Sequence, residues 1–310
     1  MDITTPLPQP RWTTLLRDNI KAHPRIAIGL GMSLAVMCLL LLQSLFMIAA
    51  GNINQGARYA LIGGAIGFGA NALGALPTLF FRSIPQHIKD SILGFAAGMM
   101  LGASIFSLLL PGLKAAELFS GSELLALTII VISMMLGVTL MLGLDKFIPH
   151  QHETAGAFGP GHERCPKIWL FVFAIALHNL PEGMALGVSF SQGDMSVGVP
   201  LTAAIALHNI AEGLAVALAI SAVGFRPVVA VLLASLSGLL EPLGVLIGIG
   251  LSSGSFLAYP IGLGLAAGAM IFVVSHEVIP ETHRNGHQTY ATLSLMVGFA
   301  VMMVLDVALG

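Results

Sequence analysis

Nine stretches of this chain are apolar for long enough to exclude a water-soluble fold: residues 26–50, 57–81, 91–111, 124–148, 168–190, 199–222, 227–252, 256–278 and 289–309. A hydrocarbon layer of ~30 Å takes about 20 helical residues to cross. Inside it each backbone N–H and C=O must be satisfied within the segment, which a helix achieves and an open strand does not. Composition agrees, since only 9% of the 310 residues are charged and the mean hydropathy is +0.92, whereas a soluble domain carries about a quarter charged residues. The expected fold is therefore an all-α polytopic membrane protein with about nine transmembrane helices.

The thirteen Lys and Arg residues orient it. Arg11, Arg17, Lys21 and Arg25 precede the first run, whose length exceeds the roughly 7–15 apolar residues of a signal peptide and marks a retained helix. With the N-terminus in the cytoplasm, eleven of the thirteen basic residues fall on that side, and Arg58 and Lys114 fall outside, as the positive-inside rule requires. This makes the chain a multi-pass protein with its C-terminus outward, expected in the inner (cytoplasmic) cell membrane. Residues 1–25 form a cytoplasmic segment, 26–50 an N-terminal transmembrane helix, and 57–310 the remainder, with a cytoplasmic His-, Gly- and Pro-rich loop at 149–167 that is expected to be mobile. No basic tract suggests nucleic acid. Cys38 and Cys165 form neither a disulfide framework nor a CxxC pair.

Polarity inside the apolar runs is the feature that bears on function. "HNLPEG" (178–183) and "HNIAEG" (208–213) lie at the centres of the fifth and sixth runs, with Glu241 near the centre of the seventh and Met99 and Met100 near that of the third. An ionised residue at a helix centre costs roughly 2.5–3.5 kcal/mol, so Glu182, Glu212 and Glu241 together cost on the order of 8–10 kcal/mol unless a cation offsets them. No Lys or Arg lies at that depth. Protons or a metal ion remain. His178 and Glu182 share a helix face, being four apart, and His208 and Glu212 repeat the spacing. Two imidazoles and two carboxylates suit a divalent transition ion such as Zn²⁺. Asn179 and Asn209 add amide oxygens, Glu241 a third carboxylate and Met100 a thioether, enough for a second, adjacent ion.

A lone intramembrane His or Asn commonly does no more than bond a neighbouring helix. Two copies at one depth with the spacing kept argue against that reading, whereas Asn71, single in the second run, reads as a packing amide. Pro181 is expected to kink the fifth helix by removing the bond to the Leu177 carbonyl, and Glu241-Pro242 to bend the seventh. At the cytoplasmic end of the eighth run, His276, Glu277, Glu281, His283 and His287 offer ligands for an ion leaving the centre, with Glu277 and Glu281 on one face. In the loop, His150, His152, Glu153, His162, Glu163 and Cys165 offer more.

These motifs resemble the Zrt/Irt-like protein (ZIP) family of divalent metal transporters, in particular its bacterial members of broad specificity. The resemblance rests on the paired hexapeptides, "LEPLG" in the next run, the His-rich loop and "HEVIPE" near the end, and covers residue 57 to the C-terminus. It implies an eight-helix core in a 3+2+3 inverted arrangement, a homodimer in the bilayer and uptake of zinc, or of cadmium, iron or manganese, into the cytoplasm by an elevator-like slide. It also implies that His178, Glu182, His208 and Glu212 with Met100 hold the transported ion, that Asn179, Asn209 and Glu241 hold a second with Glu182 and Glu212 bridging, and that Ser107 lines the entrance. The helix at 26–50 departs from the family's eight. The rival class is an intramembrane zinc-dependent hydrolase, but the HExxH signature fails where Pro280 stands in place of the second His, and the ligands exceed what one catalytic ion needs.

Overall fold

A computed structural model describes residues 17, 20–81, 84–147, 150–152, 156–158, 167–191, 193, 195–222, 224–252, 257–283 and 285–310. Each of the nine apolar runs is helical: α1 Pro24–Ala49, α2 Gln55–Ala75, α3 Gln86–Ser120, α4 Glu123–Phe147, α5 Lys167–Ser189, α6 Met195–Ala222, α7 Pro227–Ser252, α8 Ala258–Thr282 and α9 Gln288–Leu309. Eight of them, α5 apart, are long and apolar enough by their described residues to cross a membrane. The 23 residues of α5 reach about 34 Å at 1.5 Å each, also a full crossing. The all-α polytopic fold is thus the observed one. Within the stretch expected to be loose, a short antiparallel hairpin pairs β1 (His150–His152) with β2 (Gly156–Phe158). Glu153, His162, Glu163 and Cys165 lie outside the described residues.

Local chemistry sets the helix limits. The side chain of Asn54 accepts from the Ala57 N–H at 2.7 Å and caps α2, and Gly121, at φ 65°, supplies the left-handed residue that ends α3. Two helices contain a wide turn of π type, Ser104–Leu109 in α3 and Val274–Val278 in α8. Each precedes a proline, Pro111 and Pro280, which cannot donate to the carbonyl four residues back, that of Ser107 or His276. The widened turn takes up the mismatch, and such turns recur at functional sites.

The expected bends fall differently. α5 runs as one helix through Pro181, while α7 breaks at Gly238–Leu239 into Pro227–Ser237 and Leu240–Ser252. Pro242 sits in the first turn of the second piece, where its missing N–H costs nothing; the interruption therefore precedes Glu241-Pro242 instead of coinciding with it.

The helices assort into two groups. α2, α5, α6 and α7 pack on one another, with α2 against α6 and α5 against α7 most closely; α3, α4, α8 and α9 form the second group, with α3 against α9 and α4 against α8. The α5–α7 contact is backbone to backbone, because a Cβ at Gly183 would collide with the Glu241 carbonyl and one at Gly244 with the Leu180 carbonyl. α1 lies outside both groups, against α7 and α4, with the Ser44 hydroxyl donating to the Leu246 carbonyl at 2.6 Å.

Candidate metal centre

The paired hexapeptides meet inside the first group. Glu182 from α5 and His208 and Glu212 from α6 converge so that one ligand atom of each lies within 4.8 Å of the others. The His208 Nε2 stands 3.1 Å from Glu182 Oε1 and 2.9 Å from Glu212 Oε2. All three side chains are buried. Neither approach is a directed hydrogen bond, and both oxygens of Glu182 and of Glu212 lack a donor.

The flanking amides present the same face. Asn179 donates through Nδ2 to the Ser237 carbonyl at 3.1 Å, at the end of the first piece of α7. Asn209 donates to Glu241 Oε2 at 2.7 Å and to the Gly67 carbonyl at 3.1 Å. With their N–H groups committed to protein acceptors, the Oδ1 atoms of both amides and the Oε1 of Glu241 are buried without a donor. Gly67 makes room for this arrangement, since a Cβ there would overlap the Glu241 carboxylate. An undonated buried oxygen costs about 1–3 kcal/mol, more when charged. A concentration of them, with no buried Lys or Arg among the described residues, is chemistry that calls for a cation.

His178 does not join the cluster. Its Nε2 lies 2.6 Å from Glu277 Oε2, in the π turn of α8, so that it ties the first helix group to the second. Met100 is buried in α3 of the second group. Ser107, in the other π turn, donates to Asp306 of α9 at 3.0 Å. His276, half-exposed, stacks on Phe272 at 4.9 Å and approaches Asp145 at 3.8 Å. Glu281 lies within electrostatic reach of Asp90, whose carboxylate takes bonds from Gln86, Asn285 and His287 at 2.9–3.1 Å. His283 bonds Thr292 at 3.2 Å. Sequence patterning does not single out Asp90, Asp145 or Asp306. Each stands near the end of an apolar run, where a carboxylate reads as solvated; only Asp306, four residues from the C-terminus in an otherwise apolar run, carried a signal of its own.

Comparisons with known proteins find metal transporters. A family model described as ZIP Zinc transporter matches residues 159–306. The zinc transporter ZIPB of Bordetella bronchiseptica is 58% identical over 290 residues, covering 94% of each chain. The zinc transporter GufA of Myxococcus xanthus is 38% identical over 78% of this chain and 95% of its own length. The human zinc transporter ZIP11 is 30% identical over 81% of this chain and 97% of its own.

Proposed function

This chain belongs to the ZIP family of metal transporters, and from that premise we propose that it carries zinc, with cadmium, iron or manganese as further cargo, into the cytoplasm through the Glu182–His208–Glu212 centre. It is a transporter and not an enzyme. The observation that carries the site assignment is the set of buried, undonated oxygens around His208 Nε2. A divalent ion arriving there gains carboxylate and imidazole ligands together and offsets the charge that lipid surroundings penalise.

The two π turns fit the two ends of a route. Near the outer end, Ser107 and Asp306 present a hydroxyl and a carboxylate to an incoming cation. Near the inner end, Glu277 holds His178 one helical turn from Glu182, so His178 is placed to receive the ion from the cluster and Glu277 from His178. His276 and Glu281 follow in sequence. Met100 supplies a thioether from the facing group, and Asn179, Asn209 and Glu241, with Glu182 and Glu212 shared, offer oxygen to a second ion. The division into two helix groups supports an elevator-like slide of α2, α5, α6 and α7 against the rest. The distribution of Lys and Arg supports an outward C-terminus, and the family resemblance supports inward delivery across the inner membrane and a homodimer built on the eight-helix core.

The test is zinc flux into proteoliposomes holding only this protein, at a set protein-to-lipid ratio. Glu212→Ala is expected to fall to the level of protein-free vesicles while its thermal unfolding stays cooperative. Uptake near the wild-type rate in that variant would overturn the site assignment.

A further inference from the structure

Asn71, one turn from the C-terminal end of α2, contacts both elements that carry the facing carboxylates of the centre. It is buried, and its Nδ2 donates to the Ala234 carbonyl of α7 at 3.1 Å, across 163 residues of chain. Ala234 belongs to the last turn before the Gly238–Leu239 break, where helix carbonyls lose their own N–H partners. Asn179 takes the Ser237 carbonyl of the same frayed end at 3.1 Å. Two amides from different helices thus hold the broken end of α7, from which Glu241 emerges.

The space around the Asn71 amide is shaped for it. A Cβ on Gly238, three residues before Glu241, would stand 2.5 Å from Asn71 Nδ2. A Cβ on Gly213, next to Glu212, would collide with the Asn71 backbone carbonyl oxygen and stand 2.7 Å from Asn71 Oδ1. Asn71, carbonyl and amide together, therefore occupies room left by two glycines, one next to Glu212 and one three residues before Glu241. One helical turn away on α2, Gly67 receives the Glu241 carboxylate and, through its carbonyl, Asn209. A simple packing amide would leave neither of its polar atoms orphaned, yet Asn71 Oδ1 is buried without a donor, a cost of about 1–3 kcal/mol that a Leu of similar size would avoid.

We propose that Asn71 is a positioning residue that sets the separation of Glu212 and Glu241 across the metal centre, a role that rests on the transport reading above. It need not touch the ion. Its Nδ2 fixes the end of the first piece of α7, and its amide fills the gap between Gly213 of α6 and Gly238 of α7. Groups that orient metal ligands from outside the coordination shell typically alter metal affinity 10–100-fold when removed.

Asn71→Leu keeps the volume and deletes the donor. In proteoliposomes it is expected to raise the KM for zinc about tenfold, with the maximal rate per unfolding-competent protein within about twofold of wild type, since uniform loss of ion binding raises KM alone. The Glu241→Gln background supplies the decisive arm. If Asn71 acts through Glu241, adding Asn71→Leu there changes KM by less than about twofold, because groups that act as a unit are not additive. Ser44→Ala, which removes the hydroxyl bonded to the Leu246 carbonyl farther along α7, serves as the structural comparison and is expected to shift thermal stability without shifting KM. An unchanged KM in Asn71→Leu, or a full tenfold increment on top of Glu241→Gln, overturns the proposal. A fall in maximal rate and melting temperature together with unchanged KM assigns Asn71 to folding alone and overturns it equally. Transport that survives Glu212→Ala would instead overturn the underlying site, so the two failures are distinguishable.

Discussion

The two hexapeptides share four of six letters and almost none of their surroundings. In α6, His208 faces Glu182 and Glu212, both within its own helix group. In α5, the matching His178 reaches out of that group to Glu277 of α8. The amides diverge as well: Asn179 holds the frayed end of α7, and Asn209 holds Glu241 itself. Equal spacing places both histidines at one depth and leaves their neighbours to decide what each does. Both helices lie along the seam between the groups, α6 against α3 and α9 and α5 against α8; the α6 histidine turns to carboxylates of its own group, while the α5 histidine spans the seam.

If this contrast is functional, the two copies respond unequally to the same change. His208→Ala is expected to have the largest effect, lowering zinc affinity by at least about a hundredfold, because it removes a ligand and not a supporting partner; binding to detergent-solubilised protein by calorimetry measures it. His178→Ala is expected to cost less affinity and more rate, and equal losses in the two variants would erase the distinction. Acid comes next. Imidazole must be neutral to bind metal, so protons compete with zinc for the histidine and affinity falls as pH drops. An affinity that is flat from pH 7.5 to 5 would rule out imidazole ligation. Glu277→Gln keeps a hydrogen-bond acceptor for His178 and removes the charge; it is expected to slow flux several-fold, on the order of 1 kcal/mol, with affinity at His208 unchanged. Pro181→Ala should have the smallest effect, within about twofold in flux, since α5 is continuous through that position.

Much of the fold was legible because the bilayer is a severe solvent. A segment that must satisfy its own backbone and cover about 30 Å announces itself by length and apolarity, and all nine runs became helices. The depth of Glu182, Glu212 and Glu241 was legible for the same reason. The bends were less so. Pro181 suggested an interruption in α5, but the break fell in α7 at Gly238–Leu239, where a glycine precedes a leucine and no proline stands. Pro242 marks the restart and not the break, since proline is tolerated in a first turn. The wide turns before Pro111 and Pro280 left a sequence signal that periodicity alone does not register.

Pairings between distant helices were beyond the sequence. Ser107 meets Asp306 across 199 residues and His178 meets Glu277 across 99, and no local pattern encodes either distance. Asn71 makes the point most sharply, because a single amide in an apolar run looks like packing until Gly213 and Gly238 are seen on either side of it. The amino-acid order alone determined that this chain is a polytopic, all-helical membrane protein carrying acid and imidazole within its apolar runs, since hydrocarbon discriminates residue by residue. Which histidine faces which carboxylate, and which oxygens are left without donors, depends on how helices with no covalent link lean on one another, and that only the packed structure decided.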